Sequence, residues 1–96
     1  MTLHIWKFPL EVTDLAVVRM SIAARVLCVQ VQQDFPMLWA LVDPDQPTEE
    51  RRFRVIGTGH RIDDSLGAYV GTFQLANGRL VFHVFEAERA AAREGE

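Results

Sequence analysis

The sequence predicts an all-β domain: an antiparallel meander of about seven short strands, curled into a small barrel-like or two-layer core. Three observations lead there. Apolar and polar residues alternate with a period of two along most of the chain. β-branched and aromatic residues concentrate in the alternating runs. Most of the segments between runs are too short for the crossover that joins parallel strands.

In the first run, Trp6, Phe8, Leu10 and Val12 share one face, with Lys7 and Glu11 on the other. Pro9 has no N–H to give to a ladder, which assigns this strand to an edge or to a bulge. A second strand, Leu15 to Met20, follows the Thr13-Asp14 turn. In the third, Arg25 to Gln32, Leu27, Val29 and Val31 point one way and Cys28, Gln30 and Gln32 the other. A helix would scatter those glutamines among the valines.

After Pro36, Met37 to Val42 is apolar without alternation, as suits a short strand covered on both faces. Asp43 to Glu50 reads as a polar loop punctuated by Pro44 and Pro47, and Arg52 to Ile56 as a strand with one wet face. Tyr69 to Leu75 and Leu80 to Phe85 close the domain as a hairpin around Asn77-Gly78, because a type I′ turn needs positive φ at both central positions. The domain spans residues 1–86. The Ala/Glu/Arg-rich tail, 87–96, has helical propensity but no large apolar side chain to dock, so it reads as a short helix or a disordered end.

Composition narrows function. A chain of 96 residues, 49% apolar and 24% charged, is one ordinary globular domain. Its core is small, and self-association is a natural way to add stability. The net charge of −3 arises from dispersed residues with no basic block, so no nucleic-acid partner is expected. Nothing approaches the roughly 20 apolar residues of a membrane helix, and the N-terminus lacks the basic start and apolar stretch of a secretory signal. The expected location is cytoplasmic. Cys28 is the single cysteine, so it has no intramolecular disulfide partner.

Residues 57–67 form the longest segment without a period. Gly57, Thr58, Gly59, His60, Arg61, Asp63 and Asp64 are its candidate ligand-binding residues. Glycines allow close backbone approach, and a histidine beside carboxylates can move protons. The competing reading is a glycine-rich turn whose Asp and Ser satisfy local backbone groups. Gly-Thr-Gly here is no phosphate loop, since the Lys-Ser/Thr ending is missing. His4, His60 and His83 lack ligand spacing, and Cys28 has no neighbouring base, so no catalytic residue, metal or cofactor is assigned. His83 alternates with Val81 and Phe85 and reads as the cap of a hydrophobic face. Trp6, Phe35 and Tyr69 are candidate interface residues, Trp6 because Pro9 assigns its strand to an edge.

The segments Ile5-Trp6-Lys7-Phe8-Pro9-Leu10-Glu11-Val12-Thr13-Asp14, Leu38-Trp39-Ala40-Leu41-Val42-Asp43-Pro44, Gly57-Thr58-Gly59-His60 and Leu80-Val81-Phe82-His83-Val84-Phe85-Glu86 resemble a family of short uncharacterised phage and bacterial proteins. The likeness covers about residues 4–86. It departs at Gln33-Asp34, where an Asn-Gly type turn is expected, and at Ala23-Ala24, where a glycine is. The resemblance implies a phage or prophage accessory protein, with no established site residues. The resulting expectation is a non-enzymatic module that binds a host protein or small ligand, as in countering host defence, and forms a homo-oligomer. A virion structural component is the alternative, and a hydrolase or metal enzyme centred on His60 a weaker one.

Overall fold

Alternation becomes pairing in the computed structural model, which describes residues 2–62 and 66–87. The strands are β1 (His4–Pro9), β2 (Leu15–Ser21), β3 (Arg25–Gln32), β4 (Phe35–Val42), β5 (Thr48–Gly57), β6 (Leu66–Leu75) and β7 (Leu80–Ala87). They form two antiparallel sheets, ordered β1-β4-β3 and β2-β5-β7-β6. Of the two closures the sequence allows, this is the two-layer one, and β3 packs against β6 where the layers approach. The order refines a plain meander: β3-β4 and β6-β7 are hairpins, whereas β2 and β3 run in succession along β5 and β4. Residues 15–57 are thus one long hairpin folded across its middle, each half feeding a different sheet. Ser21 sits buried at the fold line, where its Oγ accepts a hydrogen bond from Asp43 N at 3.1 Å, while Ile22 N donates to Pro47 O at 2.9 Å. Among the described residues, no helix is long and apolar enough to cross a membrane.

The alternation sorts as the sequence implies. Ala16, Val18 and Met20 of β2 are buried, whereas Leu15, Val17 and Arg19 face out. In β4, Pro36, Leu38, Ala40 and Val42 enter the core, and Met37, Trp39 and Leu41 are half-buried on the outer side. That second cover explains the missing alternation. Lys7 lies over the Trp39 ring, 5.9 Å from its centroid, and reaches across β4 to the side chain of Gln32. Phe53, Leu10, Met20, Leu38, Val42 and Val84 are among the fully buried side chains. Each contributes on the order of 1.5–3 kcal/mol by leaving water.

Several local expectations are corrected. The first strand ends at Pro9 rather than continuing to Val12. Leu10 drops into the core with its N–H bonded to Pro36 O at 3.0 Å, and Val12 is exposed. Leu27 does not join Val29 and Val31 inside: a β-bulge between Val26 and Cys28 turns Val26 onto the core and leaves Leu27 42% exposed. Cys28 is only half-buried, paired with Trp39 on the outer face. The polar loop is confined to residues 43–47, because β5 begins at Thr48 and pairs Glu50 with Arg19 of β2.

The two departures from the expected turn residues carry the left-handed backbone that glycine or asparagine favours. Gln33 and Asp34 have φ of 53° and 67°, and Ala23 has φ of 65°. An L-residue in this region costs about 1–2 kcal/mol. The last hairpin keeps its expected register, but its loop is wider than two residues. Ala76, Asn77 and Gly78 all have positive φ, and the ladder ends at Leu75–Leu80. Ala87, expected to open the tail, is the last residue of β7, and the rest of the expected tail, 88–96, lies outside the described residues.

Candidate functional site

β5 delivers the glycine-rich segment to the outer face of the four-stranded sheet. His60 N donates to Gly57 O at 3.1 Å, which closes a tight turn, and Gly59 has the positive φ of 88° that favours glycine. The His60 ring folds back over Gly57. A Cβ on Gly57 would lie 3.1–3.3 Å from three of its ring atoms, so the bare backbone there makes room for the imidazole. Thr58 N donates to Val81 O at 3.0 Å, tying the turn to β7.

The register aligns two outward rows across this sheet. Ile56, His83 and Thr72 form one, and Arg54, Phe85 and Tyr69 the other. Residues three apart on a regular strand face opposite ways, yet Tyr69 and Thr72 face the same way. The cause is a register shift between Tyr69 and Gly71, a bulge that sends Val70 onto the core and returns Thr72 to the outer face. Tyr69 and Phe85 contact each other with ring centroids 5.3 Å apart and planes tilted by 59°.

A continuous polar chain results. Tyr69 OH lies 2.5 Å from Thr72 Oγ1, which lies 2.9 Å from His83 Nδ1. His83 Nε2 lies 2.6 Å from Thr58 Oγ1, whose hydroxyl donates to Val81 O at 3.3 Å. Three of its members, Tyr69, His83 and Thr58, line an open cleft of about 220 Å³. Ile56, His83, Phe85 and Tyr69 line it on the sheet side, and residues 57–60 with Ile62 line it on the loop side. Apolar walls around a file of oriented polar groups are the usual make-up of a binding site.

Of the expected ligand-binding residues, Gly57, Thr58, Gly59 and His60 border this cleft, whereas Arg61 does not line it. Asp63 and Asp64 lie outside the described residues. His60 takes no part in the polar chain. The sequence reading missed His83 and Thr72 as site residues, and it placed Tyr69 at an interface. The interface candidates are dispersed: Trp6 on the edge strand β1, 47% exposed; Phe35 at the start of β4; Tyr69 on the other sheet. Among the described residues no three His, Cys, Asp or Glu side chains converge as metal ligands would.

A family model described as "Domain of unknown function (DUF7352)" matches residues 1–95. No curated protein and no solved structure matches the chain.

Proposed function

The chain belongs to the DUF7352 family, and from its geometry we propose that it acts by binding, with the His83 cleft as the site that receives a flat, group-sized ligand. The observation that carries this reading is the four-member polar chain, Tyr69–Thr72–His83–Thr58, set among apolar walls. Both ring nitrogens of His83 are engaged by threonine hydroxyls, which suits a fixed recognition element better than a base awaiting a proton. The volume accommodates one aromatic ring system rather than an extended substrate. A phage-type accessory protein working in the host cytoplasm, by capturing a small ligand or a host protein's side chain, fits this site. It fits better than a virion piece, whose contacts would call for broad surfaces.

The test is a titration of the isotope-labelled protein with small aromatic fragments, followed by NMR. Amides of Ile56, Thr58, Ile62, His83 and Phe85 are expected to shift together, with millimolar dissociation constants. Gly57→Ala, which drives a methyl into the His60 ring, is expected to weaken that binding severalfold while the core resonances stay in place. Resonances that remain still at saturating fragment would refute the reading.

Self-association is proposed on a separate surface. The outer face of β1-β4-β3 sets Ile5 beside Leu41 and Lys7 beside Trp39, with Met37 next in line. A second copy is the occupant proposed for this apolar row. Light scattering is expected to report a dimer or larger species, and Ile5→Lys to shift it toward monomer. A strict monomer at high protein concentration removes the idea.

A further inference from the structure

We infer that the cleft selects for ligands that bring an N–H donor on the edge of a flat, uncharged ring, an inference that rests on the binding role proposed above. The reason lies in how the protons of the polar chain must be arranged. Four contacts link Val81 O, Thr58, His83, Thr72 and Tyr69. With a neutral imidazole there are also four hydrogens to fill them: one on each hydroxyl and one on the ring. Val81 O is a carbonyl and can only accept, so the Thr58 hydroxyl donates to it. The contact between Thr58 and His83 must then be filled by the ring, which puts the imidazole hydrogen on Nε2. Nδ1 is left as an acceptor and takes the Thr72 hydroxyl. Thr72 Oγ1 in turn accepts from the Tyr69 hydroxyl. No other assignment of four hydrogens fills all four contacts.

The consequence is directional. Every hydrogen in the chain points along it, from Tyr69 toward His83 and from His83 toward the backbone of β7. What this chain leaves for a ligand in the cleft is lone pairs, on the oxygens of Tyr69 and Thr58. A group that can only accept finds no donor on this polar chain, whereas an N–H finds a partner on it. The inclined pair Tyr69–Phe85 and the side chain of Ile56 supply the surface against which a flat ring rests.

Indole and benzofuran separate polarity from shape, because they differ chiefly in an N–H against a ring oxygen. At pH 8, above the range in which an imidazole ordinarily charges, indole is expected to bind about five- to tenfold more tightly than benzofuran, by NMR titration. Tyr69→Phe keeps the ring against Phe85 and removes an acceptor, so it is expected to bring the two affinities close together without weakening benzofuran. Long-range ¹H–¹⁵N correlation is expected to show His83 with its hydrogen on Nε2, and a hydrogen on Nδ1 would overturn the inference whatever the affinities. Benzofuran binding as tightly as indole also overturns it, yet leaves the cleft as a binding site; if neither ring binds, both readings fall. Adenine and N-acetyltryptophanamide then distinguish the source of the ring. Displacement of indole by the first supports a free base as occupant, and displacement by the second supports a partner's tryptophan. Both outcomes support the donor rule.

Discussion

Replacing Glu86 by alanine is expected to destabilise the protein by about 3 kcal/mol, within the range found when one member of a largely buried ion pair is removed. Arg51 and Glu86 lie between the ends of β5 and β7, with side chains 13% and 26% exposed. Their pairing is a two-pronged fork: Arg51 Nε donates to Glu86 Oε2 at 2.5 Å and Nη2 donates to Oε1 at 3.0 Å. The remaining prong, Nη1, donates to Ala24 O at 2.8 Å, at the corner where the chain passes from one sheet to the other. The hydrogen bond to Glu86 holds the guanidinium pKa above its ordinary value despite its burial. Without Glu86 the charge stays and its partner does not. The double substitution Arg51→Met with Glu86→Leu is expected to restore most of the loss, since burying two apolar side chains avoids desolvating two charges. Urea denaturation of the single and double variants checks both expectations. If Glu86→Ala costs less than about 1 kcal/mol, the pair behaves as an ordinary surface bridge.

This pair also marks where the sequence was least legible. Glu49 and Glu50 read as the end of a polar loop and Arg51 as part of no strand, because Glu49-Glu50-Arg51-Arg52 is four charged residues in a row with no apolar period. Only the partner strands reveal that β5 runs through it, with Glu50 beside Arg19 and Arg51 turned toward Glu86. The alternation of β3 needed no such help, except before Cys28, where the bulge turns Val26 inward and Leu27 outward while Val29 and Val31 keep their expected face. The candidate site divides in the same way. The Asn-Gly hairpin signal already implies the register that sets Thr72 opposite His83, so half of the polar chain could have been derived from residues 69–85 alone. Two things could not. Thr58 arrives from the turn after β5, outside this hairpin, and Tyr69 reaches the same face as Thr72 only through the bulge. A glycine inside an alternating run, as in Tyr69-Val70-Gly71, is the one local hint of that bulge.

Gly71 carries a second duty, and its substitution is the other change expected to have a large effect. A Cβ built there would lie 2.9 Å from Val29 Cγ1, a contact that real side chains essentially never make. Val29 is buried and belongs to β3, the strand that packs against β6 where the sheets approach. Its branched side chain has little rotameric freedom with which to yield. Gly71→Ala is therefore expected to cost about 2–3 kcal/mol through overpacking, by forcing the two strands apart or the valine off its rotamer. The same displacement would disturb the bulge that presents Tyr69 and Thr72 together, so fragment binding at the cleft should weaken along with stability. Val29→Ala alone is expected to cost less than the roughly 2–5 kcal/mol seen when a larger buried side chain becomes alanine, because a smaller cavity forms. The informative variant is the pair. If the clash is the cause, Gly71→Ala with Val29→Ala is more stable than the sum of the two single losses allows, by at least about 1 kcal/mol in a double-mutant cycle. Strict additivity would mean that the space Gly71 leaves to Val29 is not what its substitution disturbs.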